Sequence, residues 1–496
     1  MKWAHFLHRD MSVLFEYFVQ RSGVDYLSEV LDLPGFALTG RKIDHAEIYH
    51  DANEMANFKQ KVQAKGQVYL EFLANTCEDL CSGLITFAKN SKNLTPSEAF
   101  DKYCELQTKL MTFIPLFPGV IEPIITERLD EIVQKYATTN VPAEKLARIL
   151  QKPSKPYAIM QEEMERYKLG GIIQREYEML KAFSKSNEAA KAALKYRTDI
   201  QEKIDAHVNR FGWVETRHFK GDVWSFDYML DKLRDALNKD CSLEHANAIK
   251  KQRQQENEIE ETYHKLGFLR EDIHMTGLIR NFIYLRTQRK DSVSEAAYGI
   301  KWIFDEIAQS TGIDSADLVY LMPNEIKELI KTPRAVIKYQ VEIEKRKKGF
   351  ALITYDGLTR IFADEFISDG NLRVNEHDNI QKVLGTTTYP GEVDGLVRRI
   401  LDKYELTSIQ DGEIIVTPMT SPDYVVVMDK VKGIITDEGG VTCHAAQISR
   451  EYRIPCLTGT GSATKIFKTN ESVHLEATHG FAEKRNNNFT GTNKNS

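Results

Sequence analysis

Thr436-Asp437-Glu438-Gly439-Gly440-Val441-Thr442-Cys443-His444-Ala445-Ala446-Gln447-Ile448-Ser449-Arg450-Glu451 decides how the last part of the chain folds. The apolar residues just before it, 433–435, read as a strand. Gly439 and Gly440 allow a tight turn with dihedrals that other residues avoid. Thr442 is a good N-cap for a helix that runs to Tyr452. His444 then falls in the first turn, among backbone N–H groups that lack intrahelical partners, at the positive end of the dipole. An imidazole placed there suits phosphoryl chemistry. It can attack phosphorus, hold the group covalently and pass it on. The N–H groups would take the phosphoryl oxygens, and the same field disfavours a protonated ring. Thr442 adds a hydroxyl; Gly439, Gly440 and Cys443 complete the phosphoryl loop. Arg450 lies off the His444 face and reads as an anchor between helix and domain. The competing reading is an ordinary structural or exposed histidine. The small residues Ala445 and Ala446, which let another surface approach, favour the chemical one.

Outward from this stretch, residues 385–480 hold strand-sized apolar runs at 395–400, 413–417, 425–428, 433–436, 455–458 and 473–476, with one helix at 443–452. Before residue 385 the pattern is helical. Residues 1–31 read as one or two helices. Periodic segments follow at 51–90, 97–112, 120–136 and 142–150, and Thr95-Pro96 with Glu98 reads as a capping box. Pro153 and Pro156 mark a break. Helical blocks then run over 157–237 and 241–309, and 278–307 is the most regular helix. The expected architecture is multidomain, α + α/β. A mostly helical region spans 1–340, with a possible subdivision near 153. A connector spans 341–384, a small β/β/α domain 385–482, and a disordered tail 483–496.

The chain has 496 residues, enough for about three domains. Its 66 Lys and Arg against 72 Asp and Glu give a net charge of −6. That excludes bulk electrostatic attraction to nucleic acid or to an anionic membrane. No signal peptide is legible, and charges interrupt each apolar stretch before it reaches a membrane span. The six cysteines show no metal spacing and read as free thiols of a cytoplasmic protein.

Other candidates are less specific. Arg280, Arg286 and Arg289 lie on the regular helix, and Arg286 and Arg289 share a face that reads as a solvated face or an internal ion pair, or as a phosphoryl or carboxylate contact. His207, His218, His264 and His274 read mainly as ordinary helix residues. Trp213 and Trp224 flank a glycine loop and read as core anchors. Arg286, Arg289, His274 and Trp213 are the candidates for a substrate site. Gly459-Thr460-Gly461-Ser462-Ala463 looks superficially like a dinucleotide loop but lacks the strand–helix unit and acidic residue of one.

Residues 384–480 closely resemble the phosphohistidine, or swivelling, domain of the PEP-utilising enzymes, such as phosphoenolpyruvate synthase, pyruvate phosphate dikinase and rifampin phosphotransferase. The resemblance rests on Thr386 to Gly395 with Pro390-Gly391, on Asp411 to Val416 followed by Pro418-Met419-Thr420-Ser421-Pro422-Asp423, on Gly439 to Ala446, and on Ile454-Pro455-Cys456 with Gly459-Thr460-Gly461 and Ala463-Thr464. It implies that His444 is the phosphorylated residue. More weakly, residues 3–12, 211–224 and 283–321 resemble the helical substrate-binding region of the rifampin phosphotransferase group.

The resemblance implies a dikinase-type relay. An ATP-grasp module, with Mg²⁺, would place the β-phosphoryl of ATP on His444, releasing AMP and phosphate. The small domain would then carry it to a small-molecule acceptor in the helical region. This sequence has no room for an ATP-grasp fold and no Gly-rich phosphate loop, so that module is expected as a separate subunit or a missing N-terminal domain. Two other classes remain open: a noncatalytic phosphohistidine carrier or regulatory protein, and a helical binding module with an inert histidine domain.

Overall fold

The computed structural model describes residues 3–9, 12–25, 38–42, 46–216, 223–355, 358–363, 382–401, 403–440 and 443–485. A large helical part is followed by a smaller β/β/α domain. The long helices α1 (Ala52–Asn90), α2 (Pro96–Met111), α3 (Glu122–Tyr136) and α4 (Arg270–Thr311) build the main core. The expected capping box opens α2: the Thr95 side chain accepts from the Glu98 N–H, and the Glu98 carboxylate accepts from the Thr95 N–H. Helices α1 and α4 pack closely. A Cβ on Gly299 would lie 2.9 Å from the Ala88 Cβ, so a glycine sets their approach. A second core, Leu169 to Leu233 and including Phe183, Ile204 and Trp224, belongs to residues 158–236 and sits apart from the first.

The expected N-terminal helix is partly wrong. Trp3–Arg9 is a strand, β1, and the helix here spans Val13–Asp25. Strands β1, β2 (Leu38–Lys42), β3 (Ala46–Asp51), β4 (Phe350–Tyr355) and β5 (Leu358–Ala363) form an antiparallel sheet in the order β1-β3-β2-β4-β5. The residues read as connector therefore contribute the end of a helix, Val336–Lys348, and two strands of a sheet begun at the other end of the region.

The membrane reading also needs correction. Among the described residues, one helical stretch, 96–136, is long and apolar enough to cross a membrane by length and composition. Its apolar window is 61% buried inside the protein, as expected of a core helix. Phe113, Leu116, Phe117, Val120 and Ile121 are all buried in the main core.

The small domain is one sheet of eight strands: β6 (Lys382–Leu384), β7 (Thr386–Tyr389), β8 (Glu392–Arg399), β9 (Glu413–Thr417), β10 (Val431–Thr436), β11 (Cys456–Thr458), β12 (Ser472–Glu476) and β13 (Phe481–Lys484). Their order is β6-β13-β12-β8-β9-β10-β11-β7, and β8 to β11 are mutually parallel. Both faces are covered, so the parallel strands read as unbroken apolar runs. Ile415, Ile434 and Cys456 point to one core, and Ile414, Val416, Ile435 and Leu457 to the other. The residues 425–428, expected as a strand, are part of a 3₁₀ helix, Pro422–Lys430. β13 extends into the expected tail, and β6 belongs to this sheet rather than to a connector. Residues 486–496 lie outside the described residues.

Candidate functional site

Strand β10 delivers the chain into the loop 437–443, and helix α5 (His444–Tyr452) leaves it. The loop is tied to two neighbouring loops. The Glu438 N–H donates to the Pro418 carbonyl at 2.9 Å, the Thr460 N–H to the Thr436 carbonyl at 3.1 Å and the Gly461 N–H to the Asp437 carbonyl at 2.9 Å. The buried Asp437 carboxylate accepts from the Thr464 N–H at 3.0 Å and from the Thr464 hydroxyl. These bonds give the 418–423 and 459–464 segments their use, which is to hold the histidine loop. Gly439 has φ 102°, and a Cβ there would lie 2.7 Å from the Cys443 Sγ. Glycine is required at that position on both counts. A Cβ at Gly440 would meet nothing within 4 Å.

The cap differs from expectation. Cys443, extended at φ −72° and ψ 166°, holds the N-cap place, and His444 is the first helical residue. Thr442 therefore does not cap the helix; Val441 and Thr442 lie outside the described residues. Cys443 is buried against the loop, and burial pushes its thiol pKa up.

His444 is half-buried, and its Nδ1 lies 2.8 Å from the Thr420 hydroxyl. Thr420 is itself buried. The ring's pKa is lowered to about 4, first by burial and then by the positive charges of Arg286 and Lys290, against the opposing pull of Asp423. The imidazole is therefore neutral at pH 7. The Thr420 hydroxyl can donate to Nδ1 or accept from it; in the tautomer where Nδ1–H donates, the free lone pair sits on Nε2.

Arg286 and Lys290 stand one turn apart on α4, in the helical part. The small domain is thus docked with its histidine loop over α4. Arg286 is paired with Glu122 at 3.0 Å. Its own pKa is pulled down by burial but is raised overall by Glu122, Cys443 and Glu438. Arg450 anchors α5 as expected, with Nε donating to the Thr388 carbonyl at 3.2 Å, and also reaches across the domains to the Gln151 Oε1 at 2.8 Å.

The remaining sequence candidates separate from this site. Arg289 is buried in the main core, donates to the Phe113 carbonyl and lies 4.6 Å from the Phe117 ring centroid. Its pKa falls to about 10, chiefly through burial. It packs the core, while Arg286 makes the internal ion pair, with Glu122. His274 is exposed, bonds Glu71 at 2.7 Å, and precedes Arg286 by twelve residues, roughly 18 Å along the helix. Trp213 is buried, and its indole N–H donates to the Arg210 carbonyl. A cavity of about 390 Å³ opens where α1 kinks at Gly66, lined by Gln67, Glu127, Glu131, Asp272 and Met275. It lies on the same helices but far along α4 from Arg286.

Thr420 and Lys290 were not singled out as site residues from the sequence. The helical spacing of Lys290 from Arg286 was a usable signal for the second. For the first, nothing short of the fold brings residue 420 to residue 444.

Residues 409–480 match the PEP-utilising enzyme mobile domain. A probable phosphoenolpyruvate synthase of Methanothermobacter thermautotrophicus is 49% identical over 107 residues, 22% of this chain and 15% of that protein. The phosphoenolpyruvate synthase of Pyrococcus furiosus is 45% identical over 111 residues, 22% of this chain and 13% of that protein. The rifampicin phosphotransferase of Bacillus cereus is 26% identical over 304 residues, 57% of this chain and 34% of that protein. That last match is far longer than the mobile domain, so the likeness reaches into the helical part. The chain spans about a third or less of the length of these relatives. Together they are likenesses to the PEP-utilising and rifampin phosphotransferase superfamily that do not single out a member.

Proposed function

We propose that His444 is a phosphoryl carrier in a dikinase-type phosphotransferase. An ATP-grasp module outside this sequence would supply the β-phosphoryl of ATP. Nε2 of His444 attacks that phosphorus, the bond to the AMP oxygen breaks, and water takes the γ-phosphate. The phosphoryl group then passes from Nε2 to an acceptor hydroxyl, carboxylate or amide held by the helical part. The net reaction is ATP, acceptor and water to AMP, phosphate and phospho-acceptor.

The observation that carries this reading is a neutral, half-buried imidazole fixed through Nδ1 by Thr420 and faced by Arg286 and Lys290. Thr420 holds the ring through Nδ1, and with Nδ1–H donating to it Nε2 is the nucleophile. Two cations and the first turn of α5 fit the oxygens of a transferring phosphoryl group. This cationic and hydroxylic set does not suit Mg²⁺, which takes oxygen ligands. Mg²⁺ accordingly enters with the nucleotide on the ATP-grasp module, and no step here runs through it.

The test is labelling by that module with ATP carrying radioactive phosphorus at the β position. Wild type should take up one acid-labile, base-stable label per chain, and His444→Ala none. Equal labelling of the two would end the proposal.

A further inference from the structure

Strands β8 and β12 place an unusual set of side chains on one face. In their antiparallel register Glu392 is directly opposite Glu476, and Asp394 is directly opposite His474. Residues two apart on a strand share a face, so all four lie together. Like charges directly opposite are destabilising, and nothing in the sheet's own geometry demands carboxylates at both 392 and 476. Of the nearby charges, Arg485 is spent on Asp394, with Nε 3.1 Å from Oδ1 and Nη2 3.4 Å from Oδ2. Three carboxylates against one guanidinium leave two negative charges when the histidines are neutral.

His474 supplies the second observation. Its side chain is only 9% exposed. Nδ1 lies 2.9 Å from the Asp394 Oδ1. A carboxylate only accepts, so in the neutral ring this contact puts the proton on Nδ1 and leaves the lone pair on Nε2. Arg485 Nη2 also lies 3.2 Å from Nδ1, but it too is a donor and cannot replace Asp394 there. On its other side Nε2 faces Glu392, whose Oε1 lies 3.6 Å away, an ion pair only when the ring is protonated. A histidine fixed by a carboxylate behind it and aimed at two more is the arrangement that orients metal-ligating imidazoles.

We propose that Glu392, His474 and Glu476 bind a first-row divalent transition metal, with Zn²⁺ the reference ion, and that Asp394 orients the imidazole. The three ligand atoms lie within 4.8 Å of one another. A tetrahedral ion with bonds of 2.0–2.1 Å needs them roughly 3.3 Å apart. Rotation of the exposed Glu392 side chain closes that gap. The fourth position faces solvent, near His479, whose Nδ1 is 3.4 Å from the Glu476 Oε1. One imidazole with two carboxylates selects zinc-like ions over Mg²⁺, which prefers oxygen alone. The ion would tie β12 to β8, joining the antiparallel edge of the sheet to its parallel centre. It is independent of phosphoryl transfer at His444.

Equilibrium dialysis of chelator-treated full chain against Zn²⁺ tests the proposal, with bound metal measured by mass spectrometry and stability by thermal melting. Wild type should retain one Zn²⁺ per chain and melt higher with it. Glu392→Gln, at an exposed position that does not threaten folding, should weaken binding at least tenfold, and the Glu392→Gln/Glu476→Gln double variant should abolish it along with the melting shift. Failure of wild type to retain Zn²⁺, or equal retention by the double variant, overturns the proposal.

Discussion

At the scale of single residues, the chemistry turns on which nitrogen of His444 holds the proton. Thr420→Val keeps the volume and deletes the hydroxyl that fixes Nδ1. Phosphorylation of His444 should fall 10- to 100-fold, the usual loss for an orienting partner, with little change in melting temperature. An unchanged rate would remove Thr420 from the mechanism. The same ring makes a pH prediction. Its folded pKa is about 4, against about 6.5 unfolded. Below pH 6.5 the unfolded chain binds a proton that the folded chain refuses, so His444 erodes stability as pH falls from 6.5 towards 4 and has no such effect above 6.5. In a histidine Cε1–H NMR titration the His444 signal should show its midpoint near 4. Arg286→Met should move it up, because one cation is lost and the Glu122 carboxylate left behind favours the protonated ring. A midpoint that stays near 4 in the variant would remove Arg286 from the causes of the shift and leave burial and Lys290. Although the cap falls on Cys443 and not on Thr442, the place of His444 at a helix start was legible from sequence because the glycines and alanines lie within ten residues. Its partners were not, since Thr420, Arg286 and Lys290 meet it only through tertiary structure.

At the scale of elements, local signals succeeded where the partner is local. The Thr95–Glu98 capping box is a four-residue signal, and α2 begins where it says. Thr95→Ala should cost about 1 kcal/mol, read as a drop in the melting midpoint, while Thr95→Ser should cost almost nothing. Equal losses would show that the Thr95 methyl, not its hydroxyl, matters. The errors have the opposite character. Trp3–Arg9 pairs with β3, and its sheet is completed by β4 and β5, more than three hundred residues later. No window of sequence holds that information. The Val-Val-Val-Met run at 425–428 has strand composition but helical periodicity. Tyr424, Val427 and Met428 are buried while Val425 and Val426 face solvent, and Pro422 opens the turn. Period, not β-propensity, was the better guide there. The parallel strands β9 and β10 were read correctly because their unbroken apolar runs reflect burial on both faces.

At the scale of the whole molecule, the mobile domain sits with its histidine loop against α4, and this docked arrangement fits the acceptor half of the relay. In the proposed relay, the half-buried ring leaves α4 to meet a nucleotide on another module. The Arg450–Gln151 bond is one clasp between the two parts. Arg450 also holds the Thr388 carbonyl, so replacing Arg450 would disturb the mobile domain itself, whereas Gln151→Ala cuts only the clasp. In this variant the docked population should shrink, and three readings should move together. The His444 NMR midpoint should rise from about 4 towards 6.5, since Arg286, Lys290 and part of the burial belong to the docked state. Labelling by the ATP-grasp module should be unchanged or faster, because undocking no longer limits it. Transfer from phospho-His444 to acceptor should slow several-fold, because the loop is less often seated over Arg286 and Lys290. Slower transfer without slower labelling is what a swivelling carrier requires. If both slowed equally, Gln151 would be supporting the fold and not the docking. If neither moved and the midpoint stayed near 4, the ring would owe its environment to its own domain, and the helical part would have no share in setting its chemistry.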